Sequence, residues 1–331
     1  MEEYCHGDNS REFQVFVKPV GGRCNLRCSY CYYIDHEHSA RHPRGAVMDD
    51  AVLTEYVRQH FAASDSCKVF FSWHGGEPLL AGIDFYRRAI GLQKRFAPAG
   101  CRVINGIQTN ATLIDEDWGR FLHEAGFYAG VSLDGPEQFH DSHRMRADGS
   151  GTFSDVMRGL DILRAYDVPY EVLCVVNSVN VHAPLEIYRF FKNLGVRFLT
   201  FLPLVERRTG DSPAVTERSV SAVDFGRFLS DVFDEWVSND IGIIKIQVFE
   251  EALRTAFGLG HTLCIFKPVC GTVPVVEMNG DFYSCDHFAD EGYRIGNIMS
   301  QSLTGLLDDP RQKAFGIAKK TELPRYCLDC G

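Results

Sequence analysis

Short runs of β-branched and aromatic residues alternate with longer stretches of helical apolar period from Phe13 to about Ser238. The short runs are Phe13–Val17, Val69–Trp73, Val103–Gln108, Tyr128–Leu133, Tyr170–Val176 and Phe198–Leu202, and runs of this kind read as buried strands. The helix-period stretches are Asp49–Ala62, Phe85–Phe96, Asp115–Ala125, Phe153–Tyr166, Ala183–Leu194 and Asp224–Trp236. Asp49 and Asp115 stand where an N-cap carboxylate accepts from the first turn, and Gly126 and Gly195 where a helix stops. Strand–helix units in succession predict an α/β fold, a parallel sheet with helices outside it. Six units rather than eight predict an open, partial (β/α)6 barrel. In such sheets the reactive groups gather at the carboxyl ends of the strands.

Two segments break the alternation. Arg207–Val220 is polar, with Gly210, Ser212 and Pro213, and reads as a loop covering the site. After Ile241 the strand–helix rhythm stops, and Cys264, Cys270, Cys285, Cys327 and Cys330 follow among turn signals such as Asn279-Gly280-Asp281. The expected organisation is an N-terminal extension (1–12), the partial barrel (13–238) and a small cysteine-rich domain (239–331).

Composition narrows the class. A chain of 331 residues with 45% hydrophobic content has room for one large domain and a small one. No apolar stretch is long enough to span a bilayer, and the acidic, polar start Met1–Asp8 is unlike a signal peptide, so the expectation is a cytoplasmic protein with no membrane partner. The net charge of -10 argues against a nucleic-acid partner and leaves a peptide substrate open. Twelve cysteines in such a protein read as metal or catalytic ligands rather than disulfides.

Cys24, Cys28 and Cys31 lie in Gly21-Gly22-Arg23-Cys24-Asn25-Leu26-Arg27-Cys28-Ser29-Tyr30-Cys31-Tyr32-Tyr33, directly after the first strand. Three thiolates spaced C-x3-C-x2-C on one loop can hold three corners of a cubane cluster and leave its fourth iron open to a small molecule, whereas electron-transfer clusters are commonly closed by four cysteines. Core packing, a redox pair and zinc also employ cysteine, but zinc wants a fourth ligand. The spacing and the aromatics after it resemble the signature of the radical S-adenosylmethionine (SAM) enzymes.

Further candidates follow the other strands. His74-Gly75-Gly76-Glu77 after the second strand offers close backbone approach and a carboxylate for an ammonium group, or simply a Gly-Pro turn. Beside the Cys triad it resembles the GGE motif that holds the SAM amino group. The third strand ends in Gln108-Thr109-Asn110. The fourth ends in Ser132-Leu133-Asp134-Gly135-Pro136, and Arg144 stands ten residues beyond Asp134. A hydroxyl and a guanidinium suit a carboxylate, while Asp-Gly-Pro is also an ordinary turn. Asn177, after the fifth strand, is a candidate for the ribose.

The C-terminal cysteines, with Cys270 and Cys285 joined as C-x9-G-x4-C through Gly280, resemble the SPASM extension. The runs Glu277–Phe288 and Arg294–Ile298, with Ser132–Pro136 and Phe225–Leu229, are similar to those of anaerobic sulfatase-maturating enzymes, a resemblance covering nearly the whole chain from Phe13. It implies a radical SAM barrel with a SPASM-type domain, in which Ser132 and Arg144 hold the SAM carboxylate. Cys264, Cys270 and Cys285 would ligate one auxiliary [4Fe–4S] cluster and Cys327 and Cys330 a second, with a zinc knuckle as the alternative for the last pair. It further implies that Asp286 deprotonates the substrate, a sulfatase polypeptide, and that a ferredoxin- or flavodoxin-type protein supplies electrons. The family pattern has three more ligand cysteines after Cys330, so auxiliary clusters held by these residues alone are expected to be incompletely ligated and labile. Cys5, Cys67, Cys101 and Cys174 match no ligand position, and His36, His38 and His42 read as solvated.

The implied reaction is oxidation of a Cys or Ser to Cα-formylglycine without oxygen. Alternatives are another SPASM peptide modifier, forming a thioether or carbon–carbon cross-link, and a non-catalytic iron–sulfur or zinc module.

Overall fold

Alternate residues of the predicted strands are fully buried, among them Val15 and Val17, Phe71 and Trp73, Val172, Cys174 and Val176. This is the signature of a sheet with one face sealed under helices. The computed structural model describes residues 12–33, 45–208 and 214–328. Within them β1 (Phe16–Lys18), β2 (Lys68–Trp73), β3 (Arg102–Thr109), β4 (Phe127–Ser132), β5 (Tyr170–Val176) and β6 (Phe198–Pro203) pair in sequence order, every pair parallel. Leu173 and Val175 on β5 are only half-buried, so the second face borders an incompletely filled interior.

The connecting helices begin and end where the sequence signals them. Asp49 accepts from Val52 N ahead of helix Asp50–Ala63, and Asp115 from Trp118 N ahead of helix Glu116–Glu124. Gly126 and Gly195 follow their helices with φ of 64° and 73°. Under the sheet, Trp73 Nε1 donates to Asn105 Oδ1 at 2.9 Å, and the Asn105 and Gln93 amides exchange two further bonds, satisfying a buried polar set.

The alternation continues past Ile241, where it was expected to stop. A seventh parallel strand, β7 (Lys245–Ile246), pairs with β6 and leads into helix Gln247–Ala256. Two residues are too few to display a period, which hides this unit in the sequence.

The C-terminal region is not separate from the sheet. β8 (Val275–Glu277) and β9 (Asp281–Tyr283) form a hairpin turned at Asn279-Gly280, with Gly280 at φ 85°. β10 (Arg294–Asn297) adds antiparallel to β9, and β8 pairs parallel to β1 with Lys18 opposite Glu277. The described residues thus form one ten-stranded sheet, ordered β10-β9-β8-β1-β2-β3-β4-β5-β6-β7. No described helix is long and apolar enough to cross a membrane.

Candidate active site

The Cys24–Cys31 loop leaves the carboxyl end of β1 and is tied down on two sides. Toward β2, Gly76 N donates to Gly21 O at 2.9 Å and Glu77 N to Arg23 O at 2.8 Å. Toward the segment after β4, Arg27 N donates to Met145 O at 2.8 Å and Ser29 N to His143 O at 2.9 Å. A Cβ on Gly75 would sit 2.6 Å from Gly21 O, and one on Gly76 2.2 Å from Arg23 O. The close approach that the paired glycines permit is thus made by the cysteine loop itself.

Burial, the Glu77 charge and the neighbouring thiols push the Cys24 thiol up to about 12, and burial first of all raises Cys28. Leu26 N donates to Cys24 Sγ at 3.3 Å and Asn110 Nδ2 approaches it at 3.6 Å, contacts that favour a ligating thiolate. Glu77 is wholly buried. Its Oε1 accepts from Leu79 N and Thr109 Oγ1, each at 2.9 Å, and its Oε2 from Asn110 N at 2.8 Å. Burial outweighs these donors and raises the carboxyl to about 7. Glu77 therefore pins the end of β3 to the start of the short helix Pro78–Ala81.

Arg144 is buried, against the expectation for a loop arginine, and its Nε donates to Asp134 Oδ2 at 2.9 Å. Asp134 also accepts from Val175 N at 3.0 Å and from the Tyr30 hydroxyl. Burial disfavours the Arg144 charge, but Asp134 outweighs it and the guanidinium stays ionised, stacked near Tyr30 at 5.5 Å. Ser132 Oγ accepts from Gln108 Nε2 at 3.1 Å. Asn177 is buried at the end of β5, and its amide nitrogen faces His143 without a well-formed hydrogen bond. A cleft of about 390 Å³ opens beside these groups, lined by Arg27, Cys28, Cys31, Arg146, Glu206 and Arg218. Arg218, paired with Glu206 at 2.7 Å, brings the described end of the Arg207–Val220 segment to its rim; residues 209–213 lie outside the described residues.

Asp286 lies 254 residues beyond Tyr32, whose hydroxyl donates to its Oδ2 at 2.5 Å. Tyr33 donates to the same oxygen at 2.7 Å, and Lys18 Nζ stands 2.9 Å from Oδ1 and 3.2 Å from Glu277. Burial alone would raise the carboxyl, but Lys18 and the Tyr32 hydroxyl outweigh it and hold Asp286 ionised, far below the usual range. His74 stacks on Phe16 at 3.7 Å, and burial lowers its imidazole to about 4. The residue after Cys285 thus reaches the residues after Cys31.

The family model described as the radical SAM superfamily matches residues 19–191, and that of an iron–sulfur cluster-binding domain, SPASM, matches 269–331. The serine-type anaerobic sulfatase-maturating enzyme of Bacteroides thetaiotaomicron is 38% identical, over 100% of this chain and 83% of that protein. The chain belongs to the anaerobic sulfatase-maturating enzymes of the radical SAM superfamily. The cysteine-type enzyme of Clostridium novyi is 33% identical over 92% of this chain and 82% of its own. The solved structure of native anSMEcpe with bound AdoMet and Cp18Cys peptide superimposes with a TM-score of 0.87 at 29% identity, covering 97% of this chain and 86% of that one.

The residues present fit what this maturase family uses. Three thiols share one loop, with the Leu26 and Asn110 amides aimed at the Cys24 sulfur, and the buried Asn177 amide nitrogen has no well-formed hydrogen bond among the described residues. Of the cysteines that the resemblance assigns to auxiliary clusters, Cys264, Cys270 and Cys285 lie within electrostatic reach of one another, and Cys327 is exposed. Cys330, like Cys5, His36, His38, His42 and the extension before Glu12, lies outside the described residues. Cys174 is a core residue, and Cys67 and Cys101 are half-buried.

Sequence reasoning missed Lys18, Asp134 and Tyr30 and left Tyr32 and Tyr33 without roles. A lysine closing an otherwise apolar strand was the available signal for Lys18, since a buried cation demands an anionic partner. Nothing local reveals that the partner is Asp286.

Proposed function

We propose that this protein oxidises a Cys or Ser side chain of a sulfatase polypeptide to Cα-formylglycine without oxygen. The observation that carries the reading is the contact of Asp286 with Tyr32 and Tyr33, which sets an ionised carboxylate beside the triad loop. Cys24, Cys28 and Cys31 would hold the cluster; His74, Gly75, Gly76 and Glu77 would surround the SAM amino group, Ser132 and Arg144 its carboxylate, and Asn177 its ribose. When bound, cluster and SAM supply a reductively generated carbon radical able to take a hydrogen atom from the target Cβ. Besides that hydrogen atom the target must lose a proton and an electron, which leaves the aldehyde from Ser and a thioaldehyde from Cys; water then hydrolyses the thioaldehyde to formylglycine and hydrogen sulfide leaves.

Asp286 takes the proton from the thiol or hydroxyl. Its low basicity in the Lys18 pair suits a proton made acidic by loss of the adjacent hydrogen, and the paired tyrosines keep the carboxylate aimed at the loop. Arg144, neutralised by Asp134, brings a fixed fork to a carboxylate without adding net charge. Cys264, Cys270 and Cys285 would hold an auxiliary cluster that takes the surplus electron, and Cys327 and Cys330 would contribute to a second. A ferredoxin- or flavodoxin-type donor and a cytoplasmic setting complete the reading.

Mass spectrometry of a sulfatase peptide after anaerobic incubation with SAM and a reductant tests it. Formylglycine is the expected product. A cross-linked peptide or an unchanged one would overturn it.

A further inference from the structure

Helix Pro310–Thr321 lays one polar face against the loop that carries Cys264 and Cys270. Gln312, Gly316 and Lys319 recur at the spacing that stacks residues on one side of a helix. Gln312 is buried, and its Nε2 donates to Gly271 O at 2.8 Å and to Ser284 O at 3.3 Å, beside Cys285. The Gly316 carbonyl accepts from Cys270 N at 3.2 Å, and a Cβ at Gly316 would sit 2.3 Å from Cys270 O. Lys319 Nζ donates to Cys264 O at 2.5 Å, Ile265 O at 2.8 Å and Lys267 O at 2.7 Å.

An ammonium has three donors, and here each is directed at a carbonyl of a single loop. Apolar burial does little to fix this loop, because Ile265, Phe266 and Val269 are all 40% exposed or more. Lys319 therefore supplies order that apolar burial does not. The same charge lies within electrostatic reach of the Cys270 thiol. Ser284 Oγ, next to Cys285, is buried without a partner, as a hydroxyl placed to donate to a cluster sulfur would be.

We propose that Lys319 is the positioning residue of the auxiliary cluster site formed by Cys264, Cys270 and Cys285: it shapes the loop that presents two of the thiols and keeps a fixed positive charge beside the cluster. The inference rests on the reading that these thiols hold iron and sulfide. Two consequences follow. Cluster retention depends on Lys319, and the neighbouring charge raises the reduction potential of the auxiliary cluster, since a cation favours the more negative, reduced state. A site so tuned accepts an electron from an oxidised substrate more readily.

The test uses the full chain with Cys24, Cys28 and Cys31 replaced by Ala, so that bound iron reports on the C-terminal thiols alone. After anaerobic reconstitution, Lys319→Met is expected to lose iron several-fold, Lys319→Arg to keep most of it, and Gly316→Ala to lose it with the lysine in place. A redox titration followed by electron paramagnetic resonance should place Lys319→Gln at a more negative potential than the parent, with Lys319→Arg near the parent. Equal iron in parent and Lys319→Met, whether high or absent, overturns the proposal, as does an unmoved potential in Lys319→Gln. Faster amide hydrogen exchange across 264–270 in the apo Lys319→Met protein is expected as well, and unchanged exchange would overturn the loop-shaping role. None of these readouts uses a sulfatase peptide, so failure of the maturation assay would count against the proposed reaction and leave this result standing.

Discussion

Lys18 Nζ lies 2.9 Å from Asp286 Oδ1, and the pair joins the end of the first strand to the residue that follows Cys285. Both side chains are nearly sealed from solvent, so each is the other's chief source of electrostatic compensation, with Glu277 as the second anion on the lysine.

Replacing Lys18 with Met would strand Asp286 and Glu277 as buried anions. Breaking a buried pair from one side costs about 3–5 kcal/mol. Chemical denaturation of Lys18→Met should show a loss of that order, and a loss below about 1 kcal/mol would mean that water reaches the pair.

Asp286→Asn keeps the shape of the side chain and removes the proton acceptor. Its yield of formylglycine is expected to fall roughly 100-fold or more, the usual weight of a general base, while SAM is still cleaved reductively. Parallel chromatography of 5′-deoxyadenosine and of the product peptide separates the two. Undiminished formylglycine would assign the proton to another group.

Joint replacement of Cys24, Cys28 and Cys31 by Ala should abolish 5′-deoxyadenosine formation and leave the circular dichroism spectrum unchanged, because the sheet does not depend on these thiols for its core. A triple variant that still forms the nucleoside would place the cluster elsewhere.

Gly76→Ala sets a methyl group 2.2 Å from the Arg23 carbonyl oxygen, so the backbone of the cysteine loop must move. Iron bound at the triad should fall at least several-fold with little change in helix content. Full iron retention would show that the loop yields at no cost to ligation.

His60 provides a pH dependence distant from any ligand. It is packed among Phe13, Tyr56 and Phe71, and burial lowers its imidazole from 6.5 to about 3. The folded state therefore binds fewer protons than the unfolded chain between these values, and stability falls as pH drops below 6.5. The loss reaches about 2 kcal/mol at pH 5 from this residue alone. Urea midpoints at neutral and acidic pH should fall more steeply for the wild type than for His60→Phe, and parallel slopes would assign the acid sensitivity elsewhere.

The barrel was legible because most of its strands are long enough to show their period and some of its helices carry a side-chain cap, as at Asp49 and Asp115. β7 was not legible, being two residues long, and neither was the pairing of β8 with β1, which joins segments more than 250 residues apart. Site residues divide in the same way. Cys24, Cys28 and Cys31 announce themselves by spacing on one loop. Asp134 looked like part of a turn because its three partners, Tyr30, Arg144 and Val175, come from three different segments. Paired glycines could be read as permitting a close approach, but not that the chain itself makes it.

The pairing of β8 with β1 has a mechanical consequence. A domain hung on a tether could swing aside to admit a polypeptide and then close over it. Here the strand that delivers the triad loop, β1, and the strand that delivers Cys285, β9, flank β8 in one hydrogen-bonded sheet, so the span between the triad loop and Cys285 is set by strand register rather than by a hinge. Under the proposed reaction, an electron passing from a substrate at the triad loop toward Cys285 would cross a distance that folding has already fixed.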